Sequence, residues 1–320
     1  FELHVADTRD EAIVWQLLRR SGSVIHLGEI VGDQACDLDP AVTISVNYTA
    51  TVGLAEMASS AGVERFIYPS SCSVYGTNDE IVDEDAPLNP LSLYGRLKQA
   101  SELAILDIRG DTFHPTIFRL ATVYGLSPRP RFDLVVNTLA GRAAAEGEIV
   151  VQGGGQWRPF VHVADVARVM VGTLKAPLDA VDGEIFNLGS NTQNDTIAGI
   201  ADIVCSRLPS VALAVTDGMD RRNYRVAFDK IADVLAFQPT RTIDDGVSEI
   251  VDAVQGGAIA DVRAARHSNV RALIETEARS RLWREDLADG VPANPFRPRD
   301  LEEPIPLPIP LHEVREGAVS

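Results

Sequence analysis

Three lysines occur in this 320-residue chain, and one of them, Lys98, follows Tyr94 by about one helical turn in Tyr94-Gly95-Arg96-Leu97-Lys98. Residues i and i+4 share a helix face, so this spacing aims the phenol and the ammonium into one space. An ammonium beside a phenol stabilises the phenolate and lowers its pKa from about 10 toward neutrality. Such a tyrosine can take a proton from an alcohol or return one to a ketone. Upstream lies a serine cluster, Ser70-Ser71-Cys72-Ser73-Val74-Tyr75-Gly76, which can offer a hydroxyl to the same reacting oxygen. Without that cluster, the pair also reads as two residues on a solvated helix face.

These side chains need a scaffold, and the surrounding pattern supplies one. Phe1 to Asp7 alternates like a strand and runs into a loop at Asp7-Thr8-Arg9-Asp10. Residues 11–20 read as a short amphipathic helix with Ile13, Leu17 and Leu18 on one side. Val24-Ile25-His26-Leu27 reads as a buried strand ending at Gly28, followed by a helix from about Pro40 to Ala61. Arg65 to Pro69 is the next strand, the Tyr94 helix runs to about Ile108, and Pro115 to Leu120 is another strand. Strands alternating with helices at this spacing predict an α/β fold with a parallel sheet wound on both faces. Ligands of such sheets bind beyond the carboxyl ends of the strands, where Gly28, Ser71 and the Tyr94 helix all fall. A glycine-rich turn that would let a dinucleotide's pyrophosphate approach a helix N-terminus is missing. Gly153-Gly154-Gly155 is followed by a tryptophan and reads as a plain loop.

The bulk numbers narrow the field. A net charge of -17 with no offsetting basic stripe argues against nucleic acid as a partner. No apolar run is long enough to span a membrane, and no signal segment opens the chain. Cys36, Cys72 and Cys205 are odd in number and widely spaced. That implies a reducing, cytoplasmic setting, no disulfide framework and no metal site.

Several short stretches then fall in a specific order: Val5 to Asp10, His26-Leu27-Gly28, Pro69 to Gly76, Tyr94 to Lys98, Arg119 to Gly125, Trp157 to Val166 and Phe186-Asn187-Leu188-Gly189. From Asp7 to about Val251 the chain resembles the extended short-chain dehydrogenase/reductase family, in its nucleotide-sugar epimerase/dehydratase branch. The resemblance implies a Rossmann-like sheet with a smaller C-terminal substrate lobe. It divides the chain into a dinucleotide-binding part at 1–125, a substrate lobe interleaved with late sheet elements at 126–257, and a charged helix with a proline-rich tail at 258–320. Against that family the chain begins at the third strand. The glycine fingerprint and the residue that selects NAD over NADP would then lie upstream of Phe1.

Roles carry over only where residues match. The resemblance implies Tyr94 as general base and Lys98 as the ribose-binding residue that depresses the tyrosine, with Ser71 on the reacting oxygen. Asp7, with Thr8 beside it, would meet the adenine, Leu27 and Gly28 would line the cofactor, and Asn47 would support the helix facing it. Asn47 reads equally as a helix-surface or cap residue, and His26 as a core histidine. Arg158 matches an arginine that pairs with a sugar nucleotide's diphosphate, a task suited to a guanidinium fork. Arg222, within Asp220 to Arg225, resembles a second phosphate contact, although the run also reads as a solvated loop. Thr122 and Arg131 would lie on the substrate side.

Dehydratases of the branch carry an acid pair where this chain has Cys72 and Ser73, and neither residue can do that proton chemistry near neutrality. Hydride transfer alone remains, which fits a NAD-dependent 4-epimerase or, with the same residues, a ketoreductase using NAD(P)H. A third reading, from another class, is a non-catalytic binding relative that keeps the fold. The resemblance also implies a homodimer packed through helices near 40–61 and 92–108. Residues 261–284 read as a charged helix, and the prolines between 291 and 311 as an extended docking tail.

Overall fold

A computed structural model describes residues 2–218 and 222–275. Its central sheet is parallel, in the order β1 (Ser23–Ile25), β2 (Arg65–Ser71), β4 (His114–Leu120), β8 (Ile185–Leu188). The remaining strands are β3 (Thr77–Val82), β5 (Thr122–Tyr124), β6 (Glu148–Gln152), β7 (Trp157–His162), β9 (Asn194–Thr196), β10 (Ala212–Thr216) and β11 (Asn223–Val226). Register along the sheet pairs Ser71 with Leu120 and Leu120 with Leu188, so three strands end level at one edge.

Alternation along the strands explains why helices cover both faces. On β2, Phe66 and Tyr68 pack on one side with Ile117 of β4, and Ile67 packs on the other with Phe118. The first side is covered by α1 (Glu11–Leu18), α4 (Ala50–Ser60) and α5 (Leu93–Asp107) through Val14, Leu54, Ala58 and Ile105. The second is covered by α7 (Val163–Thr173) through Val166, Val169 and Met170. Strands buried on both faces are apolar at successive positions, as Phe66-Ile67-Tyr68 is. Each such side chain removed from water contributes about 1.5–3 kcal/mol. A separate core holds the lobe, where α6 (Val135–Glu146), α8 (Ile197–Arg207) and α10 (Ile243–Gln255) join β6 and β7 around Val136, Ile149, Phe160, Val204 and Val247.

Two expectations are corrected and one is refined. Residues 2–7 form no strand, and Leu3 and Val5 are 74% and 85% exposed. Alternation specifies a strand only where a neighbour can accept its hydrogen bonds, and no strand among the described residues lies beside this segment. The helix beginning at Pro40 is continuous to Ser60 but widens into a π-helical turn at Ser45–Thr49, centred on Asn47. Residues 261–268 are not helical apart from a 3-10 turn at Ala265–His267, and a helix follows only at Asn269–Glu275. The remainder of the expected charged helix and the proline-rich stretch lie outside the described residues.

A buried polar network ties α5 to the sheet. Arg119 on β4 donates from Nη2 to Glu102 Oε2 at 2.8 Å and from Nη1 to the Tyr75 hydroxyl at 3.0 Å. Ser70 donates its hydroxyl to the other Glu102 oxygen, and Tyr75 donates to Asn187 Oδ1 at 2.7 Å. Arg119 and Glu102 are 3% and 2% exposed, so removing one strands the other in the core. Arg119→Met should therefore cost about 3–5 kcal/mol of unfolding free energy. Adding Glu102→Leu should recover most of that loss. Urea denaturation of the single and double variants checks both expectations.

Candidate active site

Helix α5 begins where Ser92 caps it, its hydroxyl accepting from Gly95 N at 3.1 Å. Gly95 has to be small. A Cβ there would stand 2.9 Å from Pro90 Cβ and 3.2 Å from the Ser73 carbonyl. The first turn is thereby pressed against the Cys72–Tyr75 turn that follows β2. Tyr94 and Lys98 consequently lie beside the end of that strand, in one cleft with Ser71, whose hydroxyl acts to lower the Tyr94 pKa. Ser71 Oγ also accepts from Ser73 N at 3.1 Å, which fixes its rotamer.

Lys98 is 4% exposed, and its Nζ donates to the Pro69 carbonyl at 2.6 Å and pairs with Glu29 Oε2. It stands 4.5 Å from the centre of the Tyr68 ring and 5.8 Å from that of Tyr94. Glu29 is buried too, its other oxygen accepting from the Tyr68 hydroxyl at 2.8 Å. The Glu29 loop is held by Asn47, which accepts from Ile30 N at 2.9 Å and donates to Ile30 O at 2.7 Å. Burial, reinforced by the Glu29 charge, pushes the Tyr94 phenol well above its ordinary range. Burial also pushes the Cys36 thiol up to about 12, so it supplies no thiolate.

These groups open onto a cavity of about 340 Å³ lined by Leu27, Ser71, Tyr94, Lys98, Thr122, Arg131, Arg158 and Arg222, among others. Gly28 lines the adjoining cavity of about 330 Å³, with Asp7 and Thr8; Glu29 and Val31 form the wall common to both. Arg158, 5% exposed, donates to the carbonyls of Trp157 at 2.7 Å and Arg222 at 2.5 Å. It stacks 5.4 Å from the centre of the Tyr224 ring. Arg222 pairs with Asp33 at 2.9 Å, and Asp33 also accepts from the Ser92 cap at 2.7 Å.

The NAD dependent epimerase/dehydratase family matches residues 2–189. The chain belongs to that family. It is 28% identical to UDP-glucuronate 4-epimerase of Thermodesulfobacterium geofontis over 241 residues, spanning 72% of this chain and 71% of that protein. Among solved structures it is similar to MoeE5 in complex with UDP-glucose and NAD, with a TM-score of 0.71 and 27% identity over 80% of this chain and 86% of that one. It is likewise similar to UDP-glucuronic acid 4-epimerase of Bacillus cereus in complex with UDP-glucuronic acid and NAD, with a TM-score of 0.70 and 25% identity over 78% and 80% of the two chains. NAD is the family's cofactor, and the parallel sheet wound on both faces is its fold.

The structure thus brings Ser71, Tyr94, Lys98, Thr122, Arg131, Arg158 and Arg222 to one cleft. Three of the sequence-derived positions differ in detail. Asn47 is 2% exposed and lines neither cavity, but it holds Ile30, which lines the second. Asp7 lines the second cavity, but Arg9 grips both its oxygens at 2.7 and 2.9 Å. Gly28 belongs to that second cavity and not to the one holding Tyr94. Asp220 and Arg221 lie outside the described residues. Sequence reasoning missed Glu29 and Asp33, whose only signal was two acids in the loop that follows a strand end.

Lys98 has three N–H donors, and its recorded partners among the described residues, Pro69 O and Glu29, leave one for a ribose hydroxyl. The residues around Tyr94 therefore fit the reactive half of NAD. No glycine-rich turn leading into a helix adjoins the cavities among the described residues, so the fit is to that half.

His26, 4% exposed, bonds through Nε2 to the Thr51 hydroxyl at 2.8 Å. Burial, with a smaller contribution from Lys98, pushes its imidazole down to about 4. The unfolded chain takes up this proton first, so the stability it holds is complete above pH 6.5 and is lost as pH falls toward 4. The full loss amounts to about 3 kcal/mol. Unfolding free energies measured between about pH 7 and 4.5 should fall less steeply in His26→Gln, by about one proton's worth of slope. Parallel slopes would contradict the assignment.

Proposed function

We propose that this chain is an NAD-dependent 4-epimerase of a nucleotide-activated sugar, with Tyr94 as the group that moves the C4 hydroxyl proton. The observation that carries the reading is the meeting of Tyr94, Ser71 and Lys98 at the carboxyl edge of a parallel sheet, in a cleft that also holds three arginines. Bound NAD would supply the oxidation and reduction at C4. Lys98 would hold its ribose, Gly28 and Leu27 would pass beside it, and Thr8 and Asp7 would face its far end.

Tyr94 takes the C4 hydroxyl proton as the alcohol is oxidised and returns it when the ketone is reduced from the other face. Ser71 donates a hydrogen bond to the same oxygen and holds it in line with the phenol. Arg158 and Arg222 grip the diphosphate through guanidinium hydrogen bonds, leaving the sugar able to turn between the two half-reactions. Thr122 and Arg131 border the sugar. The relatives' names support a UDP-hexose or UDP-hexuronate as substrate.

Dehydration is disfavoured by the residues after Ser71. Cys72 is 1% exposed and turned into the core, where its thiol donates to the Arg119 carbonyl at 3.2 Å. Ser73 offers a hydroxyl and no acid. One observation favours a second reading, 4-ketoreduction: the Glu29 charge beside Lys98 favours a protonated Tyr94, the form that donates to a ketone. We extend the proposal to a homodimer packed through the helices at 40–61 and 92–108, with residues 1–125 serving the cofactor and 126–257 the substrate.

The test is incubation of the purified chain and NAD with UDP-glucose and with UDP-glucuronate, followed by NMR of the sugar. Epimerisation yields the C4 epimer with no net change in NADH, and Tyr94→Phe should lower kcat by about 10²–10⁴-fold. Stoichiometric NADH consumption on a 4-keto sugar, with no epimer formed, would replace the proposal with the reductase.

A further inference from the structure

The most unusual feature of the cleft is a carboxylate placed directly on the ammonium that the proposed chemistry needs. Glu29 follows Gly28 in the loop after β1, and its side chain is 3% exposed. One oxygen meets Lys98 Nζ, and the other accepts from Tyr68 at 2.8 Å and lies 3.4 Å from the Thr51 hydroxyl. The pair of hydrogen bonds between Asn47 and Ile30 leaves the loop little freedom to withdraw it.

We propose that Glu29 is a positioning residue, the standing counter-ion of Lys98, which denies the ammonium to Tyr94 until a further positive charge enters the cleft. The inference deepens the reading of Tyr94 and Lys98 given above and rests on it. Its basis is a charge count. A buried ammonium requires an anion, and two acids lie beside it, a carboxyl that ordinarily ionises near 4 and a phenol that ordinarily ionises near 10. The carboxyl takes the role. Ionising Tyr94 as well would then leave a net negative charge in a buried site.

The surrounding groups do not change this count. Tyr68 on β2 is a neutral phenol, raised by burial and by Glu29. His26, with its pKa near 4, and Cys36, near 12, are both neutral at physiological pH. Arg131 is matched by Asp133 at 2.9 Å, and Arg222 by Asp33 at 2.9 Å. Arg158 stands on the substrate side against the Tyr224 ring. An oxidised nicotinamide ring would bring the missing positive charge, so Tyr94 would become a base only in the complex able to accept hydride.

The experiment is a spectroscopic pH titration of tyrosinate absorbance in the full chain without cofactor or substrate. Subtracting the matching Tyr94→Phe background isolates Tyr94. Wild-type Tyr94 should remain un-ionised up to about pH 10. In Glu29→Gln, which keeps the volume and the Tyr68 partner, its ionisation should begin at least about one pH unit earlier, a tenfold or larger change in its acid constant. Adding Lys98→Met to Glu29→Gln should abolish that shift, since the ammonium is what the phenolate gains. Glu29→Ala, checked by circular dichroism, repeats the comparison if the glutamine variant does not fold. Identical Tyr94 titrations in wild type and folded Glu29 variants would overturn the proposal, as would a shift that survives Lys98→Met. Because no sugar or NAD is present, failure of this test is distinct from failure to epimerise.

Discussion

A buried ammonium constrains everything packed around it. Lys98 lies inside the protein at the end of β2, where a positive charge is tolerated only with an anion and hydrogen-bond acceptors at hand. Glu29 and the Pro69 carbonyl meet that demand. To deliver Glu29 the loop after β1 must stop at a defined height, and Asn47 sets that height from the π-helical turn of the neighbouring helix. Such turns recur where a helix must turn a particular side chain inward, at a cost in regular hydrogen bonding. The placement of Lys98 beside Tyr94 thus depends on the loop after β1 and on the π-helical turn as well as on α5 itself.

The same arrangement recurs across the cleft. Arg222 is held by Asp33, and Asp33 also accepts from the Ser92 cap of the helix that bears Tyr94. Each of these cations therefore already has an acidic partner from the loop running from Glu29 to Asp33. In the proposed reading, a ligand phosphate competes with Asp33 for Arg222, and a ribose hydroxyl takes the remaining donor of Lys98. This loop forms the wall between the two cavities, so filling either one would act on the same few residues.

Much of this site was legible in the sequence because it obeys local rules. Tyr94 and Lys98 share a helix face by spacing alone, and Ser71 closes a strand whose apolar run was plain. The two-faced burial of Phe66-Ile67-Tyr68 follows from strand alternation, and it fixed the helices on both sides. What stayed hidden depends on distance in the chain. Glu29 is one of 46 acidic residues, and nothing local marks it as the partner of a lysine on another element. The pairing of Arg119 with Glu102 is equally invisible, since it spans a helix and a strand. Residues 2–7 show the reverse failure. Their alternation is sound as a pattern, but a strand also needs a neighbour, and periodicity carries no information about one.

The central claim is that Lys98 is the point at which the cofactor is held. Titration of NAD into the purified chain, followed by calorimetry in wild type and in Lys98→Met, tests it most directly. The account predicts measurable NAD binding to the wild type and at least about tenfold weaker binding to the variant, the loss expected when a charged hydrogen bond is removed. Equal affinity in the two proteins would contradict it.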